Sequence, residues 1–372
     1  MAGPIRQPID ILALENYIRN NVPQILTPLD VQQFGFGQSN PTYLLTSKQD
    51  GHRYVLRKKP PGKLLSKTAH QVEREYRILD ALRDTIAPVP RVYTLCTDED
   101  VIETSFYIME FLDGRIFTDP GMPGVAAGER REMWRSAIQT LVNLHTLSYE
   151  ALRLGDLGKH SGFYARQIKT FTSLSRHQAT TTDAESGIPI GPLPHLEDMA
   201  SFFADPASQP KDRTTIVHGD YKIDNIIFHK TEPRVIGVLD WEMATLGHPL
   251  SDVVSLIAPF LPHTWGARTQ PSSFGSSVLK AQESGLPSLE ECLSLYQTSG
   301  YDVRSDLQWG RAFAGFRGAV IMQGIAARYS RRQASSASAR EFGAMAWPTA
   351  EGVWELVNAL RAKSSRRCER RL

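Results

Sequence analysis

Five carboxylates crowd into 33 residues on either side of a short apolar ribbon: Asp220 and Asp224 before it, Asp240 and Glu242 after it, and Asp252 a little further on. The ribbon reads as a β-hairpin, because Ile226–Phe228 and Val235–Leu239 are apolar, β-branched runs flanking a turn at Lys230–Pro233. If the hairpin ends come together, several negative charges converge, and such a cluster needs a cation. Carboxylate oxygens, the amide oxygen of Asn225 and the lack of a nearby thiolate favour Mg²⁺, which takes one or two protein carboxylates plus phosphate oxygens from a ligand. Any one of these acids, taken singly, reads equally well as a solvated loop residue. Their joint spacing is what points to chemistry.

At 372 residues the chain is long enough for one large domain or two lobes. With 41% hydrophobic and 22% charged residues its composition is that of an ordinary globular protein, which sets aside disordered and fibrous classes. The formal charge is +2, but six basic side chains stand against Glu369 in the last twelve residues, leaving 36 basic against 39 acidic elsewhere. A nucleic-acid binder spreads positive charge over a folded face, so no nucleic-acid partner is expected. Cys96, Cys292 and Cys368, with no CxxC and no His/Cys cluster, argue against a disulfide framework or thiolate metal site and point to a reducing compartment. Residues 1–30 hold an amphipathic stretch around Ile9–Ile18 and no secretory pattern. The longest apolar run, Val253–Leu261, falls far short of the roughly 20 residues that span a bilayer, so no membrane partner is expected. The expected location is intracellular and cytoplasmic. Peroxisome and mitochondrion stay open, since Arg370-Arg371-Leu372 matches a Ser-Lys-Leu signal only loosely. Oligomeric state has no sequence signal.

From Val31 to about Leu112 the pattern is that of a small sheet, with strand-like runs at Thr42–Thr46, Arg53–Arg57 and Phe106–Phe111. One helix, Ala69–Leu82, interrupts it, with Val72, Tyr76, Leu79 and Leu82 on one stripe. After Asp113-Gly114 the character turns helical. Glu129–Thr146 turns Met133, Trp134, Ala137, Ile138, Leu141 and Leu144 inward, and Leu289–Tyr296, Leu307–Tyr329 and Ala350–Leu360 follow. Ser175–Pro194, rich in Thr, Gly and Pro, reads as a loop or lid. The expected fold is α+β in two lobes. Residues 1–113 form a small N-terminal antiparallel sheet lobe with one helix, residues 114–360 a larger, mainly helical C-terminal lobe, and residues 361–372 a basic, solvated tail. His145 reads as a core histidine, and Trp241 and Trp309 as packing residues.

The run His218-Gly219-Asp220-Tyr221-Lys222-Ile223-Asp224-Asn225, then the strand pair, then Leu239-Asp240-Trp241-Glu242, follows the order of a kinase catalytic centre. In that centre an Asp accepts the substrate hydroxyl proton, an Asn five residues later holds a metal, and a second Asp past a hairpin holds metal bridging the phosphates. Asp220, Asn225 and Asp240 match those three roles. Upstream, Gly35-Phe36-Gly37-Gln38-Ser39-Asn40 leads into a strand, and its backbone amides suit phosphate oxygens; Gly35, Gly37, Ser39 and Asn40 are candidate nucleotide contacts. Asn40 stands where a third glycine would be, and a plain hairpin turn is the alternative. Val55-Leu56-Arg57 resembles the strand that carries a phosphate-binding lysine, with Arg57 in its place and Lys58 or Lys59 as alternatives. Glu75, in the helix that follows, is the natural ion-pair partner, while Glu73 would face elsewhere. Either pairing also reads as a surface salt bridge. Met109-Glu110-Phe111-Leu112 closes an apolar strand as a hinge, which makes Glu110 and Leu112 nucleotide-binding candidates. His218 reads as a support of the loop through hydrogen bonding.

Because the loop reads His-Gly-Asp, and Asp240-Trp241-Glu242 is followed by Gly247, Pro249 and Asp252, the chain resembles the aminoglycoside phosphotransferase and choline kinase-like superfamily more than the protein kinases. More narrowly, it resembles the kinase-like domain that some eukaryotic proteins fuse to an acyl-CoA dehydrogenase. That likeness lies in Gly37–Leu44, Leu56–Leu65, Ala69–Leu79, His218–Asn225 and Leu239–Asp252, extended by Phe316-Arg317, Gln323-Gly324 and Arg328. The resemblance implies a two-lobed protein kinase-like fold, ATP bound between lobes, Mg²⁺, and phosphorylation of a hydroxyl on a small-molecule acceptor. It further implies hydroxy acids or hydroxyacyl-CoA as the substrate class, as for the fused relatives. Arg317 and Arg328 project from a helix whose apolar stripe includes Phe313, Phe316 and Val320, and reach either an anionic acceptor or only solvent. Two rival readings are a nucleotide-binding pseudokinase or regulatory module without transfer, and a phosphate-independent metal hydrolase built on the same acids.

Overall fold

The computed structural model describes residues 2–35, 40–60, 71–261, 285–334 and 338–369. These fall into two compact units. The first is built from residues up to Thr118 together with Ser148–Gly155 and His218–Ala244, so the hairpin and both its acidic flanks belong with the N-terminal sheet.

That sheet has six antiparallel strands, β1 (Ala2–Gly3), β2 (Leu29–Phe34), β3 (Thr42–Ser47), β4 (Arg53–Lys58), β5 (Val92–Cys96) and β6 (Phe106–Glu110), in the order β1-β2-β3-β4-β6-β5. Alternation along β3 buries Tyr43, Leu45 and Ser47 and leaves their neighbours half-exposed, as a pleated strand requires. Tyr43 and Leu45 join Leu56, Phe106 and Ile108 in a core with Leu14 and Ile18 of α1 (Ile11–Asn21). Asp10 caps that helix by accepting from the Ala13 amide at 2.9 Å. Helix α2 (Val72–Leu82) packs against β5 and β6. Its buried stripe is Val72, Ile78, Leu79 and Leu82, with Ile78 in place of the expected Tyr76, which stays half-buried and edge-on to Tyr107. A one-turn helix, α3 (Glu99–Ile102), follows β5. The hairpin pairs Ile226–Phe228 with Val235–Val238, Ile226 opposite Val238. A Cβ on Gly237 would lie 2.1 Å from Leu112 Cδ1, so only glycine admits the Leu112 side chain there.

The second unit is helical: α4 (Ala127–Thr146), α5 (Phe163–Ala179), α6 (Leu196–Ala204), α7 (Leu250–Ile257), α8 (Leu289–Tyr296), α9 (Leu307–Ser330), α10 (Ala339–Ala344) and α11 (Ala346–Glu369), with one antiparallel pair, Thr215–Val217 on Thr245–Gly247. Helix α4 buries all six residues the sequence pattern turned inward. A capping box between Ser288 and Glu291 opens α8. Helix α9 is buried along much of its circumference and packs on α5, α7, α10 and α11; its Trp309 stacks on Phe313 at 5.3 Å. Trp241 and Trp309 are both buried, as packing residues should be.

Two further expectations change. Ser175–Ala179, expected in a loop or lid, is the last turn of α5, where Ser175 is buried and donates to Gln323 Oε1 at 2.7 Å. Its Thr- and Ser-rich neighbourhood masked the helix because these residues compete for backbone hydrogen bonds. The basic segment from Arg361, expected as a tail, continues α11 to Glu369, with the Arg361 guanidinium over the Trp354 ring. Among the described residues, no helix is long and apolar enough to cross a membrane.

Candidate active site

Arg57 sits on β4 opposite Thr42 of β3 and Tyr107 of β6, and its side chain is only 11% exposed. Its Nη1 is 3.0 Å from Glu75 Oε1, and its Nη2 is 2.8 Å from Asp240 Oδ1 and 3.4 Å from Glu242 Oε2. Lys58, next on the strand, is buried, and burial lowers it below its ordinary value. Lys59 pairs with Glu73 instead. Of the basic and acidic residues left open by the sequence, Arg57 and Glu75 are therefore the pair that meets the carboxylates beyond the hairpin. Burial pushes the Glu75 carboxyl up to about 7; Arg57 pulls it down, and Asp240 and Glu242 add to the push. Burial opposes the Arg57 charge, but Glu75, Tyr107 and Asp240 outweigh it and hold the guanidinium above its ordinary value.

The loop before the hairpin is shaped by one glycine and one histidine. Gly219 has φ of 86°, and a Cβ there would lie 2.7 Å from the Met243 carbonyl oxygen, so a side chain is excluded twice over. His218, fully buried, donates from Nε2 to the Leu239 carbonyl at 2.8 Å and accepts from the Asp220 amide at Nδ1, 3.3 Å away. It thus ties Leu239, the residue before Asp240, to Asp220, the residue after Gly219, the supporting role expected of it.

The 3-10 turn Ile223–Asn225 brings Asn225 back onto Asp220. Its Nδ2 donates to the Asp220 carbonyl at 2.8 Å and to Asp220 Oδ2 at 3.0 Å. With the amide nitrogen committed, Oδ1 is the atom left to accept. The Asn225 carbonyl accepts from the Leu239 amide at 2.9 Å, so Asp240 lies one residue past the partner of Asn225 in the ladder. Asp240 itself has φ of 67°, a left-handed conformation that costs a non-glycine residue free energy and recurs at functional sites.

Two neighbours escaped the sequence reading. Lys222 Nζ lies 3.3 Å from Asp220 and 3.4 Å from Asp224. Burial acts to lower Lys222, and those two carboxylates outweigh it, so it lies above its ordinary value. Its proximity in sequence to both acids was the available signal. Arg74 donates to the Ala244 carbonyl at 2.8 Å, fastening α2 to the turn after Asp240; no local pattern announces that contact.

The five carboxylates do not form one cluster. Asp220 and Asp224 gather on Lys222, and Asp240 and Glu242 on Arg57, whereas Asp252 belongs to α7 of the second unit. There it is buried with its Oδ2 3.3 Å from His145 Nε2, and the other ring nitrogen of His145 is 2.7 Å from the Tyr296 hydroxyl. This is a core network, in line with the reading of His145. Among the described residues, no group of three or more His, Cys, Asp or Glu is placed to hold a metal by itself. Asn225 Oδ1 and Asp240 nevertheless fit a hard cation that draws its remaining oxygens from water and phosphate, which is how Mg²⁺ is held.

Of the other candidates, Glu110 accepts from the Arg91 amide at 3.2 Å, and Leu112 fills the space over Gly237. Asn40 is buried and its carbonyl accepts from Thr42 Oγ1 at 3.0 Å, while Gly35 follows the last residue of β2, with no described atom within 4 Å of a Cβ placed there. Gly37 and Ser39 lie outside the described residues.

An antiparallel sheet carrying a basic strand and a helical glutamate, joined to an Asp–Asn loop and a second Asp past a hairpin, defines a kinase-like phosphotransferase with an alcohol-group acceptor. The phosphotransferase enzyme family matches residues 30–292, and the chain belongs to it. Family members are ATP-using kinases. The chain is 36% identical over 360 residues to acyl-CoA dehydrogenase family member 10 of Mus musculus, covering 95% of this chain and 32% of that protein. It is 38% identical over 355 residues to family member 11 of Gallus gallus, covering 94% and 43%. The chain thus spans roughly a third to two-fifths of these relatives. A solved structure of a Ralstonia eutropha JMP134 protein named for the aminoglycoside phosphotransferases is 36% identical with a TM-score of 0.78, covering 95% of this chain and 99% of that one.

Proposed function

We propose that the chain is an ATP- and Mg²⁺-dependent small-molecule kinase that transfers the γ-phosphate to the hydroxyl of a hydroxy acid or hydroxyacyl-CoA. The observation that carries this reading is the Asn225 amide donating to the Asp220 carboxylate at 3.0 Å, in a loop tied through Leu239 to the turn that presents Asp240. Asp220 orients the acceptor hydroxyl and takes its proton as the new O–P bond forms and the bond from the γ-phosphorus to the departing ADP oxygen breaks. Asn225 and Asp240 would hold Mg²⁺, which when bound neutralises charge on the phosphates. Arg57, positioned by Glu75, contacts phosphate oxygens, with its planar fork in place of a lysine point charge. Gly35 and Asn40 would border the phosphates, and Glu110 and Leu112 the base end. Lys222 adds positive charge beside the base, where the transferring phosphoryl group carries negative charge. The names of the relatives put acyl-CoA chemistry in the same polypeptides, which supports an acyl acceptor.

Two measurements test this reading. Mg-ATP at a hundredfold excess over its Kd should stabilise the chain by about 2.7 kcal/mol. With a hydroxy acid as acceptor, Asp220→Asn should lower ADP release by about 10² to 10⁴-fold while Mg-ATP still stabilises the variant. Turnover left intact in Asp220→Asn would remove the base assignment.

A further inference from the structure

Helix α2 is fastened to the rest of its unit by charged side chains within a single turn. Arg74 donates from Nη2 to the Ala244 carbonyl at 2.8 Å, Glu75 pairs with the Arg57 guanidinium at 3.0 Å, and Arg77 donates from Nη2 to the Arg153 carbonyl at 2.7 Å. Two of these ties converge on one short stretch. Arg57 carries the tie from Glu75 on to Asp240 at 2.8 Å, while Arg74 reaches Ala244, whose amide closes the 3-10 turn Trp241–Met243 by donating to the Trp241 carbonyl at 3.0 Å. The turn that presents Asp240 is therefore held by α2 at both of its ends. The third tie leads elsewhere, to the segment Ser148–Gly155.

The two ties differ in how they respond to a metal ion. Arg57 binds the carboxylate that the proposed function gives to Mg²⁺, so guanidinium and metal compete for the same negative charge. Arg74 binds a main-chain carbonyl outside the ligand set, and its hold persists when the carboxylate changes partner. That hold matters because Asp240 has φ of 67°, and a non-glycine residue keeps a left-handed conformation only where its surroundings over-determine it. Ala244 is buried, so water is poorly placed to replace the guanidinium on its carbonyl. We propose that Arg74 is a positioning residue for metal-dependent nucleotide binding, keeping the Asp240 turn in its ligating conformation once Arg57 has given up that carboxylate. The inference rests on the reading of Asp240 as a metal ligand and adds to it a residue that touches neither metal nor nucleotide.

Calorimetry on the full chain, titrated with a non-hydrolysable ATP analogue in Mg²⁺ and again in EDTA, tests it, because the ratio of the two affinities measures what the metal adds. Mg²⁺ should tighten the wild-type chain's hold on the analogue at least about tenfold, and Asp240→Asn should lose that gain. Arg74→Met should cut the gain at least about fivefold while the affinity in EDTA stays within about twofold of wild type. Arg74→Gln, polar but too short to reach the Ala244 carbonyl, should lose as much, and Arg74→Lys, which keeps a donor on a long stem, should retain more of the gain than either. Arg77→Met removes a guanidinium from the same helix without touching the Asp240 turn and should leave the gain within about twofold of wild type. The sign separates positioning from a simple loss of charge: the metal-free analogue is the more negative, so a missing cation acting at a distance weakens binding more in EDTA than in Mg²⁺. An undiminished gain in Arg74→Met and Arg74→Gln, beside an Asp240→Asn that has lost it, would overturn the proposal and leave the metal-ligand reading standing. A gain absent from the wild type, or persisting in Asp240→Asn, would remove both. The proposal also falls if Arg77→Met loses as much as Arg74→Met, or if Arg74→Met weakens the affinity in EDTA by the larger factor.

Discussion

Arg57 joins two carboxylates that lie far apart in the sequence, and it does so with separate nitrogens of one planar group: Nη1 to Glu75 and Nη2 to Asp240. A lysine ammonium, a compact point charge, would not span both with this geometry. Glu75 is 2% exposed, so removing Arg57 leaves a carboxyl in the interior without its charge partner. Arg57→Ala should cost about 3 kcal/mol in urea unfolding. Arg57→Ala combined with Glu75→Ala should recover most of that loss, because the stranded carboxyl goes too. A single variant as stable as wild type would contradict the pairing. His248 makes a second residue-level prediction. Its Nε2 donates to the Lys211 carbonyl at 3.0 Å and its Nδ1 accepts from the Leu250 amide at 3.2 Å, which requires the neutral ring. Burial lowers it to about 4, from an ordinary 6.5. The unfolded chain therefore binds the proton first, and the stabilisation is complete above pH 6.5 and lost as pH falls towards 4. From pH 7 to 5 this group should remove about 2 kcal/mol of stability, and the loss should flatten in His248→Gln when unfolding is followed across that range.

At the scale of elements, the loop from His218 to Asn225 and the turn from Asp240 to Met243 are held face to face by Gly219. Gly219→Ala forces a side chain into a left-handed residue and against the Met243 carbonyl, so it should cost about 1 to 3 kcal/mol and lower turnover by displacing the turn that carries Asp240. Gly35→Ala is the control: a Cβ there meets no atom of the described residues within 4 Å, and stability should change by less than about 0.5 kcal/mol. Elements defined by strong local pattern were legible in the chain. The hairpin, α4 and α8 follow from β-branched runs, an apolar stripe and a helix of the expected span, respectively. Elements whose local composition argues the other way were not. The last turn of α5 hides in a Thr- and Ser-rich stretch, and the end of α11 in a basic run that reads as a tail. Ile78 replaces Tyr76 in the α2 stripe because the packing against β5 and β6, and not the spacing alone, decides which side chain turns in.

For the molecule as a whole, what could be read ahead was the inventory of the site and its order; what could not was which acid meets which base. The contact from Arg57 to Asp240 joins positions 183 residues apart, and no periodicity carries that information. The expected convergence of five carboxylates fails for the same reason: Asp252 is near in sequence yet is buried against His145 in the other unit. The central claim is that Asn225 and Asp240 take hold of one metal ion when nucleotide is present. A crystal structure of the full chain grown with Mn²⁺ and a non-hydrolysable ATP analogue tests it by the anomalous signal of the metal. The account predicts one ion ligated by both Asn225 Oδ1 and the Asp240 carboxylate at about 2.1 Å, with phosphate oxygens completing its shell. Nucleotide-bound metal held by neither residue, with Asp240 still committed to Arg57, would contradict it.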